Sequence, residues 1–336
     1  MKITIKDIAQ DTGVSASTIS RVVNNSGYVK DETRKTVEEA IARCGYVKSK
    51  KANGSSALTN AVLIIVESIN NNVYADYIAG ICRHLRKHGK NPYIYVSDYS
   101  PEAEIDQLMF ANKAGFSGVF MLSAVESSEI VEVLKNISCP VVLVNRYLRA
   151  LDIDTVILDN YKVGFMATML LINNGHTRIA HLGGPLYSTA SQDRLRGYTD
   201  AMGAAGLKID PRGMYSGNLT YECGCDFARD ILPNMRDFTA LFSANDTMAV
   251  GFIDTILENG FECPGDISVI CADDSFDVLI SKVKLTTIGY DSKVMGRSAA
   301  ELLLERINNV NGKKKTISFS PNIIERNSII NLKELN

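Results

Sequence analysis

Residues 4–23, TIKDIAQDTGVSASTISRVV, contain two short helix patterns separated by one glycine. Thr4 precedes the first pattern, and Asp7 three residues later makes a start that resembles a capping box. Gly13 ends the first helix, and Ser15 caps the second. Two helices joined by a tight turn that contains glycine form a helix-turn-helix. The sequence therefore predicts a small helical head.

A third helix is predicted to complete the head. It runs from about Asp31 to Arg43 and closes at residues 44–45, Cys-Gly. Apolar side chains recur along all three helices at a spacing that places them on facing sides. The predicted core of the head consists of Ile8, Ala9, Val14, Ile19, Val23, Val37 and Ile41.

Charge is divided unevenly along the chain. The 336 residues carry a formal net charge of −2, which alone argues against a nucleic-acid partner. Residues 1–60, however, hold ten Lys and Arg against six Asp and Glu, whereas the remainder holds 26 against 32. A small basic head on an acidic body is typical of a polyanion-binding module joined to a part with another task.

The body shows a second kind of pattern. After a Lys- and Ser-rich linker at 47–60, apolar runs of strand length alternate with amphipathic helices. This alternation predicts βαβ units and parallel sheets, and roughly 275 residues of it exceed one doubly wound unit. We therefore expect two lobes across a cleft. The predicted strands are 61–66, 93–97, 118–122, 141–144, 155–158, 179–182, 240–242, 268–272 and 286–289.

Several classes of protein are disfavoured. No stretch approaches the ~20 apolar residues of a membrane span, and the start of the chain lacks a signal-peptide pattern, so we expect a cytoplasmic protein. The seven cysteines are scattered and are interpreted as reduced thiols. Dinucleotide, P-loop and G-x-S-x-G motifs are missing, so neither an enzyme nor a cofactor is expected. His84 and His88 alone have metal-ligand spacing, and we interpret them as solvated rather than as a metal site.

Four further motifs stand in the body: GHTRIAHLGGP at 175–185, DRLRGY at 193–198, FSANDTMAVG at 242–251 and PGDISVICADDS at 264–275. Together with the head, they resemble the lactose-repressor (LacI/GalR) family of bacterial transcription regulators over nearly the whole chain. The resemblance implies a homodimer whose paired heads bind a pseudo-palindromic, double-stranded operator. It also implies a periplasmic-binding-protein-like core that holds a small effector, such as a sugar or a related metabolite, between its lobes. A receptor of the same core type without a DNA function is the alternative.

The predicted domains follow from the resemblance. Residues 1–46 form the helix-turn-helix head, 47–60 the linker or hinge, and 61–336 the core for effector binding and dimerisation. One lobe is expected to combine 61–158 with 290–318, and the other 159–289 with 319–336.

DNA contacts are expected at the second helix, because its N-terminal side chains reach base edges in the major groove. Ala16, Ser17 and Arg21 are the predicted base readers. The hinge departs from the family pattern: Asn53 and Ser55 stand where an Ala-Arg pair and an intercalating Leu usually lie, and Leu58 could serve only in a shifted register. Lys48, Lys50 and Lys51 then contact phosphate or form a solvated tether. The candidates for phosphate contact, each equally a cap or turn residue, are Thr4, Ser15, Thr18, Asn24 and Arg34.

Effector contacts are expected at the carboxyl ends of the core strands, where open α/β sheets bind ligands. The resemblance assigns hydrogen bonding to Arg194, with an ion pair to Asp193 or a neighbour as the alternative, and to Asp273, with Asp274 as the second choice. Leu219 replaces an aromatic platform, for which Tyr187 or Tyr221 can compensate. Three further candidates are each equally a cap, turn or core residue, namely Tyr74, Asn145 and Asn245.

Overall fold

The computed structural model describes residues 5–24, 28–44, 58–69 and 72–334. The chain divides into two compact units, Met1–Gly54 and Ser55–Asn336.

The first unit contains three helices: α1 (Ile5–Thr12), α2 (Ala16–Asn24) and α3 (Asp31–Cys44). Gly13 has a φ of +68°, a left-handed conformation that favours glycine and that allows the turn between α1 and α2. All seven predicted core residues pack together, so the sequence-based core is confirmed. The packed cluster also includes three residues that the prediction omitted, namely Val22, Val29 and Ala40.

The first lobe of the core, lobe 1, is built on a parallel sheet. In the described part of the chain this sheet has six strands: β1 (Ala61–Val66), β2 (Asn91–Val96), β3 (Gly118–Met121), β4 (Val141–Val144), β5 (Asp154–Leu158) and β11 (Thr316–Phe319), in the order β11-β5-β4-β3-β1-β2. Four helices cover it: α4 (Asn72–Lys87), α5 (Pro101–Ala114), α6 (Ser128–Asn136) and α12 (Ser292–Asn308).

Lobe 2 repeats this plan. Its sheet, again counted over the described residues, contains β6 (Ile179–Gly183), β7 (Met214–Ser216), β8 (Ala240–Ser243), β9 (Ser268–Ala272), β10 (Thr286–Gly289) and β12 (Asn322–Ile324), in the order β12-β10-β9-β8-β6-β7. Its helices are α7 (Asn160–Asn173), α8 (Thr189–Ala204), α9 (Tyr221–Ile231), α10 (Asp246–Glu258) and α11 (Phe276–Ile280). Only β12 runs antiparallel to its neighbour in this sheet.

The predicted α/β fold with a helix-turn-helix head and two lobes is confirmed. The nine predicted strands are present within one or two residues at each end, whereas β7, β11, β12 and α11 were not predicted. All four of these elements have three to five residues, too few to show a period. Strand β11 ends at Phe319, one residue beyond the expected lobe boundary at 318. Over the described residues, no helix has the length and apolar character needed to cross a membrane.

Candidate effector cleft and DNA-reading helix

A cavity of about 360 Å³ opens between the lobes at the carboxyl ends of their strands. The lobe 1 side of its lining follows β1 and β2, and the lobe 2 side follows β7 and β8. Three tyrosine rings border the space, those of Tyr74, Tyr99 and Tyr221, so Tyr221 lies beside Leu219 in the lining whereas Tyr187 is not part of it. Its lining consists of Glu67, Ser68, Tyr74, Asp98 and Tyr99 from lobe 1, and Leu219, Thr220, Tyr221, Glu222 and Thr247 from lobe 2.

The lobe 1 wall is centred on a buried arginine that sequence reasoning did not single out. Arg146 follows β4 and is 3% exposed. Its Nη2 donates to Glu67 Oε1 at 3.2 Å and to the Tyr74 hydroxyl at 2.9 Å, while its Nη1 donates to the Asn145 carbonyl at 2.8 Å. The Tyr74 hydroxyl in turn donates to Glu67 Oε1. Tyr74 is therefore both a cavity residue and a fixed, buried core aromatic.

The lobe 2 wall is backed by Arg194, which is 6% exposed in the second turn of α8. Of the predicted effector residues only Tyr74 lines the 360 Å³ cavity, so Arg194, Asp273, Asn145 and Asn245 all lie outside its lining. Its Nε donates to Asn160 Oδ1 at 2.9 Å and its Nη1 to the Ala244 carbonyl. Its Nη2 lies 3.4 Å from Asp273 Oδ1. The alternative partner of this arginine, Asp193, pairs with Arg196 instead, at 3.1 Å.

Asp273 occupies a strained position. It follows β9 with a φ of +69°, in the left-handed region that non-glycine residues seldom adopt. Burial raises the pKa of its carboxyl, and the guanidinium of Arg194 opposes that rise. A buried carboxylate on a strained turn at a strand end is a feature that clusters at ligand sites.

Asn160, a second residue that the sequence analysis missed, joins the two walls. It is the first residue of α7, immediately after the chain passes from lobe 1 to lobe 2, and it is 1% exposed. Its Nδ2 donates to Asn145 Oδ1 at 2.9 Å while its Oδ1 accepts from Arg194. The available signal was an Asp-Asn pair directly after a buried strand, at the point where the lobes were expected to meet.

The two remaining predicted cleft residues, Asn145 and Asn245, make hydrogen bonds to other residues of the protein. Asn145 has a φ of +53° and uses its side-chain oxygen on Asn160. Asn245 caps α10 by accepting from the Met248 amide at 3.1 Å, and its Nδ2 donates to the Leu219 carbonyl at 3.0 Å. Both amides therefore have the cap or turn role that was the alternative to ligand contact.

Asp274, the second choice to Asp273, is engaged elsewhere. Arg326 Nη1 and Nη2 donate to its two carboxylate oxygens at 2.8 and 3.1 Å, and Thr287 donates to it at 3.0 Å. This bidentate pair ties the turn after β9 to the segment after β12.

In the head, the predicted base readers lie on one exposed stretch of α2. Ala16, Ser17 and Arg21 are all exposed. Ser15 caps the helix by accepting from the Thr18 amide at 3.2 Å, and its hydroxyl lies 2.9 Å from those of Ser17 and Thr18. Arg34 lies half-buried in the first turn of α3.

Several predicted contacts lie outside the described residues. Thr4 and the hinge residues Asn53 and Ser55 are among them, as are Lys48, Lys50 and Lys51 and the side chain of Asn24. Leu58 is described, and it packs against the core of lobe 1. A shifted register that would use Leu58 as a minor-groove wedge is therefore disfavoured.

Comparison with known proteins gives the same assignment for both units. Residues 4–49 match the bacterial regulatory proteins of the lacI family, and residues 168–329 match the periplasmic binding protein-like domain. The HTH-type transcriptional repressor PurR of Actinobacillus pleuropneumoniae serotype 3 is 30% identical over 333 residues, which cover 98% of this chain and 99% of that repressor.

Two further relatives agree. The ribose operon repressor of Haemophilus influenzae is 29% identical and covers 98% of this chain and 99% of its own. The solved complex of the transcriptional regulator CelR with cellobiose superposes with a TM-score of 0.75 at 27% identity, over 97% of this chain and 99% of CelR. This chain thus belongs to the lacI family of bacterial regulatory proteins and is a ligand-controlled, DNA-binding transcriptional repressor.

Proposed function

We propose that α2 reads the operator through Ala16, Ser17 and Arg21 while the cleft binds an uncharged, sugar-like metabolite that sets the affinity for DNA. The observation that carries the proposal is the presence, in one chain, of an exposed, capped α2 and of a polar cavity lined by both lobes. In this proposal the cleft binds the metabolite and does not convert it chemically. Among the relatives, CelR was solved with cellobiose, which supports a sugar-like ligand.

The charges of the cleft support an uncharged effector. Both arginines of the walls, Arg146 and Arg194, are buried and donate to acceptors of the protein. The cavity lining itself contains Glu67, Asp98 and Glu222 and no cation. A phosphate or carboxylate on the effector would therefore meet like charge without a free partner, whereas hydroxyl groups would meet acceptors.

The experiment for the cleft is a thermal-shift screen of the full chain against neutral sugars, sugar phosphates, nucleobases and nucleosides. A ligand at about 100 times its dissociation constant adds ~2.7 kcal/mol to the free energy of unfolding. We expect hits among the neutral compounds whose stabilisation falls to about half in Asp273→Asn, as a tenfold weaker affinity implies, and is kept in Asp274→Asn. A panel without a hit, or hits unaffected by Asp273→Asn, contradicts the proposed cleft.

The experiment for the head is selection of a randomised operator by the wild type and by Arg21→Ala. A guanidinium that pairs with a base contributes ~1–3 kcal/mol of discrimination, so the variant should lose preference at one position of each half-site. Lys35→Ala, which removes an exposed cation of α3, is the matched control and should leave every preference in place. Equal weakening on all sequences would make Arg21 a phosphate contact.

We also propose a homodimer, because the core exposes large apolar side chains in both lobes. Ile94 and Met109 of lobe 1 are 50% and 57% exposed, and Phe276 and Ile280 of lobe 2 are 64% and 66% exposed. Exposed apolar clusters of this kind mark association surfaces. Sedimentation of the wild type should show a dimer, and Phe276→Asp combined with Ile280→Asp should shift it toward the monomer. A monomeric wild type at micromolar concentration contradicts this part.

DNA binding is controlled, in this proposal, by the arrangement of the two lobes that the effector favours. An effector that binds one arrangement of the lobes better than another shifts the population, typically with a coupling of ~1–3 kcal/mol to the operator. Operator titrations with and without the effector measure this coupling and its sign. Because coupling is reciprocal, operator DNA must change the effector affinity by the same factor.

A further inference from the structure

A second cavity, of about 300 Å³, lies on lobe 1 outside the cleft, where α4 and α12 meet. The two helices touch through their backbones: a Cβ added to Gly80 would lie 2.3 Å from the Lys293 carbonyl oxygen. This close approach brings the last turns of α4 beside the first turns of α12. The charged residues that line the cavity are Arg83, His84, Lys87, Asp291, Lys293 and Arg297.

The lining is strongly cationic although the chain as a whole is acidic. Two cations pair with acids: Lys293 with Asp76 at 3.4 Å, and Arg297 with Glu301 at 3.6 Å. Arg83 and Lys87 are exposed and form no ion pair with any residue that the structure describes. Four cations around one cavity repel each other, and a dianion would offset that repulsion.

Helix dipoles explain only part of this arrangement. Lys87 lies in the last turn of α4, where the negative end of a helix favours a cation. Lys293, however, is the second residue of α12, where the positive end disfavours one. Asp76 offsets the charge of Lys293, whereas Arg83 and Lys87 have no such acid among the described residues.

The pKa of His84, the histidine in the lining, is also affected by the cations of the cavity. The rings of His84 and His88 lie 4.5 Å apart, and His84 Nδ1 is 4.0 Å from Glu301. Despite that carboxylate, the pKa of His84 is lowered, first by burial, then by His88, and further by Lys87 and Arg297. Lys87 and Arg297 thus add to the lowering of the His84 pKa that burial and His88 begin, and Glu301 opposes it.

We propose that this cavity binds the phosphate group of a small phosphorylated metabolite, as a second ligand site separate from the cleft. Arg83 and Arg297 supply planar donor forks for phosphate oxygens, and Lys87 and Lys293 supply point charges. The volume lies at the lower end of the range for small-molecule sites, which suits a single phosphorylated sugar or a similar compound. The site uses neither the head nor the cleft, so it stands independently of the proposed function.

The test is calorimetric titration of the full chain, at fixed ionic strength, with inorganic phosphate, glucose 6-phosphate and glucose. We expect saturable binding of both phosphates and none of glucose at this site. Arg83→Ala combined with Lys87→Ala should weaken the phosphates by about tenfold. Both side chains are exposed, so the variant should fold, and its unfolding temperature verifies this. The matched control is Lys113→Ala combined with Lys135→Ala, which removes two exposed cations from α5 and α6. It should leave binding unchanged.

Three results would overturn the proposal. The first is no saturable binding of either phosphate by the wild type. The second is equal weakening in both double variants, which would indicate a diffuse effect of net charge. The third is binding that persists in the Arg83 and Lys87 double variant but is lost in Asp273→Asn, which would place the phosphate in the cleft.

Discussion

The two walls of the cleft are built alike and differ in the contact that each arginine makes with its acid. Arg146 in lobe 1 and Arg194 in lobe 2 are both buried near the carboxyl ends of strands, each beside an acid. All the partners of Arg146 that lie in the described part of lobe 1 are within 2.8–3.2 Å. Arg194 likewise makes short bonds, to Asn160 at 2.9 Å and to the Ala244 carbonyl, but it meets Asp273 only at 3.4 Å, at the edge of hydrogen-bonding distance.

This difference assigns the two arginines separate tasks. A guanidinium whose donors already have short bonds to the protein has nothing to offer a ligand without breaking those bonds. The long Arg194–Asp273 pair can be exchanged for bonds to an effector at smaller cost. We therefore propose that lobe 1 presents a fixed wall and that in lobe 2 the Arg194–Asp273 pair is the contact that adjusts to the effector.

The largest effect is expected when the fixed wall is broken. Arg146→Met leaves the carboxylate of Glu67, which is 3% exposed, without its cation. Removing one partner of a buried ion pair typically costs 3–5 kcal/mol, so the free energy of unfolding should fall by about 4 kcal/mol in urea titrations. Arg149→Ala, whose side chain is 57% exposed and 3.9 Å from Glu126, is the control and should change little. Equal losses of unfolding free energy in Arg146→Met and Arg149→Ala would contradict the claim that the buried arginine of the lobe 1 wall is special.

Glu104→Gln should have the next largest effect on the free energy of unfolding, and it should stabilise the protein rather than destabilise it. It is 2% exposed in lobe 1, accepts from the Ser97 hydroxyl at 3.4 Å, and burial raises its pKa to about 7. Between the ordinary pKa of a glutamate and pH 7, the folded state retains a proton that the unfolded state has lost, so stability falls as pH rises. Glu104→Gln should remove that slope and stabilise the protein by roughly 3 kcal/mol at pH 8, with little change at pH 4. Urea titrations at pH 4 to 8 measure it.

Asp246 in lobe 2 is the matched control for Glu104. Burial, with Asp273 nearby, raises its pKa to about 7 as well. Its two oxygens, however, accept from the Ser275 amide at 2.7 Å and the Thr247 amide at 2.8 Å. An amide in its place must turn a donor toward a backbone donor, so Asp246→Asn should gain less than Glu104→Gln or lose stability. A larger gain at Asp246 would contradict this account of its hydrogen bonds.

A smaller effect, on the affinity for the effector, should distinguish the lobe 2 wall from the lobe 1 wall. Asp273→Asn keeps the size of the side chain and removes the charge that faces Arg194. We expect the effector to bind about tenfold more weakly, a loss of ~1.4 kcal/mol, while the free energy of unfolding changes less than in Arg146→Met. Calorimetric titration with the effector found in the thermal screen measures the first quantity. An unchanged affinity would show that the Arg194–Asp273 pair is as fixed as that of Arg146.

Particular residues show why the sequence predicted the fold more completely than the cleft. The runs at 61–66 and 268–272 are recognisable because burial on both faces of a sheet demands continuous apolar residues. Arg146 and Asn160 were missed because a buried polar side chain is specified by partners distant in sequence: Glu67 lies 79 residues from Arg146, and Arg194 lies 34 residues from Asn160. Asp274 was considered for the site because its pairing with Arg326, 52 residues away, leaves no local pattern.

The smallest effect tests whether the lobes themselves are held in this arrangement. Asn72, the first residue of α4 in lobe 1, donates from Nδ2 to Asp277 Oδ1 of α11 in lobe 2 at 2.9 Å, and Thr247 donates to the other oxygen of Asp277 at 2.9 Å. The first bond crosses between the lobes and the second lies within lobe 2, so only the first depends on their separation. If the effector binds the arrangement seen here, Asn72→Ala should weaken it two- to fivefold, because one partly buried hydrogen bond contributes ~0.5–1 kcal/mol. Thr287→Val, which removes a hydrogen bond to Asp274 within lobe 2 and lies outside the cavity lining, should leave the affinity within about twofold of the wild type. A gain in affinity for Asn72→Ala would mean that the effector prefers an arrangement in which the lobes are set farther apart.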